Sequence, residues 1–455
     1  MKLRIKILPL GLALGIAAIA GPAAADDLLD VYQQARLADP TLAQADAQRL
    51  SVAEGVVQSR AQLLPQISGG LSLSQSHGNG RNAGYIDEDG QVIDTGHARA
   101  RSLTGNLSQT LLDFGKFADV KASRAAADSQ QEQFAAAEQD LIVRVAQAYF
   151  NVLTARDNLD FADAQEKALA RQLDQAQQRF DVGLSAITDV NEAKANHDAS
   201  TADVINATNA LADAREALSQ ITGQSFGTLD SLREDLPMQP PQPNDEKSWV
   251  DQALQGNPYI LAQQYQVEAA EHDISAARAG HLPTIGASID YSRSPSWTQY
   301  GGFHSSGSNT TVGVALRVPI FSGGATQSRV RQSIYQRDAA SDILEQNRRQ
   351  VVRNTRNAFR SVIAGISEVE ARKQAVISAK SALDATQAGF EVGTRNIIDV
   401  LNSQQQLFMA RSAYSQARHA YVMNQLLLKQ SAGSLGIDDL KSVNALLVST
   451  PIVTE

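Results

Sequence analysis

The 455-residue chain carries 40 Lys and Arg against 49 Asp and Glu, for a net charge of −9, and contains no cysteine. The lack of cysteine excludes disulfides, thiol catalysis, thiolate metal sites and lipid attachment through an N-terminal cysteine. The acidic balance argues against nucleic acid as a partner.

Lys2, Arg4 and Lys6 precede an apolar run from Ile7 to Ala20, and Ala23-Ala24-Ala25 follows as a small-residue cleavage pattern. Residues 1–25 therefore read as a secretory signal peptide, with the mature chain starting at Asp26. Beyond it, no stretch approaches the roughly 20 apolar residues of a membrane helix. Residues 27–64 are rich in Ala, Gln and Leu at helical spacing, and Pro65 ends that run.

The period then falls to two. Ile67, Gly69, Leu71 and Leu73 alternate with serines and Gly70, and a return strand sets Leu103, Leu107 and Leu111 against Ser, Thr and Asn. The pattern recurs in Ile285, Ala287, Ile289 and Tyr291, and again in Val312, Val314, Leu316, Val318 and Ile320. Segments of about ten residues, apolar on one face and small-polar on the other, are the mark of transmembrane β-barrel strands. The polar connections 77–99 and 295–309 read as loops on one side of the barrel, with Tyr85, Tyr291, Trp297, Tyr300 and Phe303 placed for an interfacial girdle.

Long helices fill the rest. No Pro or Gly interrupts Lys116 to Val182, and the run from Gly323 to Gly393 has no Pro and only Gly324, Gly365 and Gly389 inside it. Phe134, Leu141, Ala148 and Ala155 lie seven apart, with Val145 and Val152 between them and Ile142, Ala146, Tyr149 and Leu153 as a second stripe. Heptads of this length indicate coiled-coil packing with neighbours on two sides.

Phe180-Asp181-Val182-Gly183 recurs as Phe390-Glu391-Val392-Gly393, and Thr188-Asp189-Val190 as Ile398-Asp399-Val400, both 210 residues on. Asp39-Pro40 and Leu64-Pro65 recur 218 residues on, as Asn257-Pro258 and Leu282-Pro283. The chain is thus internally duplicated. A first repeat over 26–235 (helix, two barrel strands, long helix, helix) precedes a Pro-rich linker over 236–248. A second repeat covers 249–434, and a C-terminal segment 435–455 matches the linker in character. Gly183 and Gly393 suit helix ends, and Ser185 and Thr394 are expected to cap the helices that follow.

Four strands cannot close a barrel, and an open sheet edge leaves backbone groups unpaired in lipid. At least two chains are needed, and three would give twelve strands around a wet lumen.

These residues resemble the outer membrane factor family, the channels of drug efflux and type I secretion. The likeness runs through the mature chain. It is strongest at Asp30-Val31-Tyr32-Gln33-Gln34-Ala35-Arg36-Leu37, Arg171-Gln172-Leu173-Asp174-Gln175, Val182-Gly183-Leu184, Ala186-Ile187-Thr188-Asp189-Val190, Gly280-His281-Leu282-Pro283-Thr284 and Val392-Gly393-Thr394-Arg395. The resemblance implies a mainly α protein with a transmembrane β-barrel: a homotrimer whose twelve-stranded barrel continues into a long α-helical periplasmic tunnel. The linker and C-terminal segment would form an equatorial layer.

It further implies that Val182, Gly183, Leu184, Val392, Gly393 and Thr394 form tips where a periplasmic adaptor (membrane fusion protein) docks. An inner-membrane pump of RND, ABC or MFS type would supply the energy. Asp399 and Asn402 map to the pore constriction, Asn402 standing where the family usually has a second aspartate. Gln178, Thr188, Asp189, Phe390 and Arg395 map to contacts that close the entrance, Phe390 standing where a tyrosine is common. Arg395 is expected to meet Thr188 or Asp189 of a neighbouring hairpin.

No enzyme signature appears: the seven His are scattered without metal-ligand spacing, and no P-loop, nucleotide-binding Gly pattern or nucleophile elbow is present. No cofactor or metal is expected. The reading is a passive outer-membrane exit duct for efflux or type I secretion. A nonspecific porin and a periplasmic coiled-coil scaffold are the alternatives, the first disfavoured by the helices and the second by the strands.

Overall fold

The structure, a computed structural model, describes residues 26–77, 84–86, 89–90, 92–94, 97–298 and 304–448. The expected leader over 1–25, Tyr300, Phe303 and the end of the C-terminal segment lie outside the described residues. In chain order the first half runs α1 (Leu28–Ala38), α2 (Pro40–Ala61), β1 (Gln66–His77), β2 (Gly84–Ile86), β3 (Val92–Asp94), β4 (His97–Leu112), α3 (Phe114–Asp181), α4 (Ile187–Thr222) and β5 (Ser231–Leu232). The second runs α5 (Glu246–Gly256), α6 (Pro258–Ala279), β6 (Thr284–Arg293), β7 (Ser296–Thr298), β8 (His304–Ser305), β9 (Ser308–Arg317), α7 (Ala325–Glu391), α8 (Ile397–Ser431), α9 (Ile437–Asn444) and β10 (Leu447–Val448). The connections expected as loops thus contain the short strands β2, β3, β7 and β8.

Asp39 and Asn257 perform the same local task in the two halves. Each is the N-cap of a helix that begins with proline, accepting from Leu42 N–H at 2.9 Å and from Tyr259 N–H at 3.0 Å. The Asp39 carboxylate also receives Arg144 at 2.6 Å, and these bonds hold it ionised below the usual carboxylate range despite its burial.

Along the sheet the order is β1-β4-β6-β9, all antiparallel, with β7 and β8 extending β6 and β9 beyond the break at Ser294 and Pro295. Its central seam, β4 on β6, joins the two halves of the sequence. The register aligns Ile67 with Leu107, Leu107 with Ile289, and Ile289 with Val312. One face is therefore apolar across all four strands. The opposite face carries Ser68, Asn106, Asp290 and Thr311 in one row. Among the described residues, β1 and β9 each pair on one side only, so the sheet has two free edges.

At 68 residues, α3 extends roughly 100 Å at 1.5 Å per residue. It packs against α2 and α6 in its first half and α4 and α8 in its second; α7 packs against α6 and α8 in the same manner. The main core lies at mid-length. Leu141, Val145, Tyr149, Val152 and Leu153 of α3 meet Tyr421, Val422 and Leu426 of α8, under a cover made by α1, residues 229–238 and α9. Tyr149 donates its hydroxyl to Asp230 O at 2.9 Å, and β5 pairs with β10 to close this cover. The heptad positions Leu141, Ala148, Val145 and Val152 are buried as their spacing predicts. Among the described residues, no helix is long and apolar enough to cross a membrane.

Candidate functional site

Both long helices end in the same turn. Gly183 and Gly393 adopt φ of 75° and 77°. Gly183 N–H donates to Phe180 O at 2.9 Å and Leu184 N–H to Arg179 O at 2.8 Å; Gly393 N–H donates to Phe390 O at 3.1 Å and Thr394 N–H to Gly389 O at 2.8 Å. This paired closure satisfies the last helical carbonyls and requires the left-handed conformation. A Cβ at either glycine would meet nothing within 4 Å, so the backbone alone selects glycine there.

The expected caps are corrected by this closure. Leu184 and Thr394 are engaged in ending the preceding helix, and the Thr394 hydroxyl donates back to Gly389 O at 3.0 Å. Helix α4 therefore starts from Ala186 with no side-chain cap, and Ser185 instead donates to Asp189 Oδ2 at 2.6 Å. Helix α8 starts from Asn396, whose Oδ1 accepts from Asp399 N–H at 2.8 Å while Asp399 Oδ2 accepts from Asn396 N–H at 3.4 Å. The Asn-x-x-Asp spacing was a readable capping-box signal that Thr394 obscured.

Val182, Leu184 and Val392 project from these turns at 69, 71 and 75 % exposure. Behind them the hairpins are joined. Leu169 of α3 packs on Ile397 and Leu401 of α8 with Phe390 against them, and the Arg179 guanidinium lies 4.9 Å from the Phe390 ring centre. Arg179 was not singled out from sequence, because its partner lies on the other hairpin. Ala176, Val190 and Ala193 bind α3 to α4 beside Leu173.

Within one chain the residues assigned to closure do not converge. Gln178 donates to Asp174 Oδ2 at 2.9 Å on its own helix, and the Thr188 hydroxyl makes no hydrogen bond among the described residues. Arg395 reaches Asp399 Oδ2 at 3.8 Å rather than Thr188 or Asp189. Its stem lies across Gly389, where a Cβ would come within 2.8 Å of Arg395 Cγ. Asn402 is exposed one turn after the half-buried Asp399. Among the described residues no cluster of His, Asp or Glu forms a metal site.

Residues 31–224 and 249–434 match the model of a family described as outer membrane efflux protein. The chain belongs to the outer membrane efflux protein family. It is 37 % identical over 451 residues to the outer membrane protein TolC of Vibrio cholerae, covering 97 % of this chain and 98 % of that protein. It is 29 % identical over 429 residues to the alkaline protease secretion protein AprF of Pseudomonas aeruginosa, covering 93 % and 87 %. The fold matches the Campylobacter jejuni CmeC outer membrane channel with a TM-score of 0.74 at 17 % identity, over 98 % of both chains. This outer membrane efflux protein therefore has the fold of channel proteins, not of enzymes, and resides in the outer membrane.

Proposed function

We propose that three copies of this efflux protein form an exit duct whose barrel closes only on assembly. What carries the reading is the sheet. Its two free edges, β1 and β9, bear Leu71 and Leu73 at 73 and 77 % exposure and Val312 and Val314 at 72 and 70 % on one face. Such a face suits lipid, but an unpaired edge does not, so a neighbouring copy must supply the missing strand. Twelve strands leave room for a lumen lined by Ser, Thr, Asn and Asp290. The roughly 100 Å helices reach far beyond a hydrocarbon core of about 30 Å, which disfavours a simple porin.

The duct carries cargo for efflux and for type I secretion. Its relatives divide between an efflux family and a protease secretion protein. The turns at Val182, Gly183, Leu184, Val392, Gly393 and Thr394 are the docking tips for a periplasmic adaptor, which links the duct to an inner-membrane pump. Asp399 and Asn402 ring the constriction. Arg395 closes the entrance against Thr188 or Asp189 of the neighbouring copy by exchanging its weak contact with Asp399.

Leu184→Asp combined with Val392→Asp tests the tips without touching Gly183 or Gly393. Efflux should be lost and in vivo cross-linking to the adaptor abolished while duct abundance is unchanged. Efflux at the wild-type level in that variant would remove the turns from the docking surface.

A further inference from the structure

The face of α7 that carries Arg349, Arg353, Arg356 and Arg360 borders a cleft of about 550 Å³ with Leu254 and Val352. Only part of this charge is met within the chain. Arg349 pairs with Glu345 at 2.8 Å and Arg356 with Glu246 at 3.3 Å, and Arg353 has no ion pair among the described residues. The same stripe continues to Ile363, which is 36 % exposed.

The duplication shows what such a stripe is for. Moved back 210 residues, these positions are Gln139, Val143, Ala146, Phe150 and Leu153 of α3, which face α8. Gln139 donates to Gly433 O at 3.1 Å, Gln430 to Asp140 at 2.6 Å, and Thr154 bonds His419 at 2.8 Å. Ala146, Phe150 and Leu153 lie in the main core with Met423 and Leu426 of α8. Among the described residues α7 packs on α5, α6 and α8, and its equivalent stripe is left open.

In the trimer proposed above, the next copy supplies the missing helix as its α4. The α8 positions 415, 419, 423, 426 and 430 correspond to Ile205, Asn209, Asp213, Glu216 and Gln220 of α4. Ile205 is 65 % exposed, and Asp213 and Glu216 are exposed. Carrying the α3–α8 pairing over sets Arg356 opposite Glu216 and Arg360 opposite Asp213. The apolar core residues Ala146, Phe150, Met423 and Leu426 are thus replaced on both sides at once, by bases on one helix and acids on the other.

We infer that Arg356 and Arg360 on α7 of one copy dock on Glu216 and Asp213 on α4 of the next, forming the charged seam that joins the tunnel walls. A charged seam on two exposed faces lets the free chain stay soluble before assembly, where an apolar one would associate at random. It also favours this face and register, in which both bases meet acids.

The inference rests on the trimeric reading, and the test separates them. In this cysteine-free chain, Arg356→Cys with Glu216→Cys should give disulfide-linked trimers on oxidation, and Arg356→Cys with Asn209→Cys should not. Arg360→Glu or Asp213→Arg alone should shorten the lifetime of the detergent-extracted trimer roughly tenfold, because opposed like charges act mainly on dissociation. The two together should restore it. All four side chains are exposed, so helical content by circular dichroism should not change in any variant. A trimeric mass with no cross-link and no rescue overturns the seam while the trimer stands. A wild-type protein that runs as a single chain overturns the trimer and the seam with it.

Discussion

His419 is 5 % exposed against Phe150, and its Nδ1 lies 2.8 Å from Thr154 Oγ1. The Thr154 hydroxyl already donates to Phe150 O, so it accepts from the imidazole. Burial pushes the His419 pKa down to about 4, with Arg418 and Arg156 acting the same way against Asp157. The unfolded chain takes up a proton near pH 6.5 and the folded chain does not until about 4. Stability is therefore full above that range and falls as pH drops through it, by on the order of 3 kcal/mol per chain. Thermal unfolding at pH 7 and 4.5 should show a smaller difference in His419→Gln than in the parent. An equal difference would remove His419 as the source.

Asp399 has two tasks to separate, since it both completes the α8 cap and supplies the expected constriction charge. Asp399→Asn keeps an acceptor for Asn396 N–H while deleting the charge. In planar bilayers it should weaken cation preference and block by multivalent cations, as removing a charged ring does in cation pores. Asn402→Asp should strengthen that block. Cation preference retained in Asp399→Asn would leave only the capping role.

At the scale of elements, the long helices, the four alternating strands and the paired glycine turns were legible because each rests on a local rule: period, alternation or positive φ. The caps were not. Thr394 has the residue type of a cap, but the closing bond of the preceding helix claims it, and the extended residue comes two positions later at Asn396. Arg179 over Phe390, and Arg395 turned toward Asp399, depend on how hairpins and side chains settle in space. The short strands β7 and β8 span three and two residues, too few to show an alternation. Duplication extends to the strand edges. A 209-residue offset lays Leu103 and Leu107 on Val312 and Leu316, and a 218-residue offset lays Ile67 and Leu71 on Ile285 and Ile289. The Leu107–Ile289 pairing then predicts Leu316 opposite Leu71 of the next copy. Leu316→Cys with Leu71→Cys should cross-link between chains, and Leu316→Cys with Leu73→Cys should not. The reverse result would mean that the barrel closes in a register shifted by two residues.

At the scale of the whole molecule, the unassembled chain exposes what a soluble monomer would bury. Among the described residues, Ile320 and Phe321 stand 94 and 88 % exposed where β9 hands over to α7, the sheet ends in two open edges, and α4 and α7 each present an uncovered face. All these surfaces lie at the margins of the two repeats. The threefold ring proposed above would extend the same repeat without a free end. Native mass measurement of the detergent-extracted protein, paired with its conductance, tests this most directly. Three chains per particle that conducts ions is the predicted result, and a single chain that conducts ions on its own would contradict it.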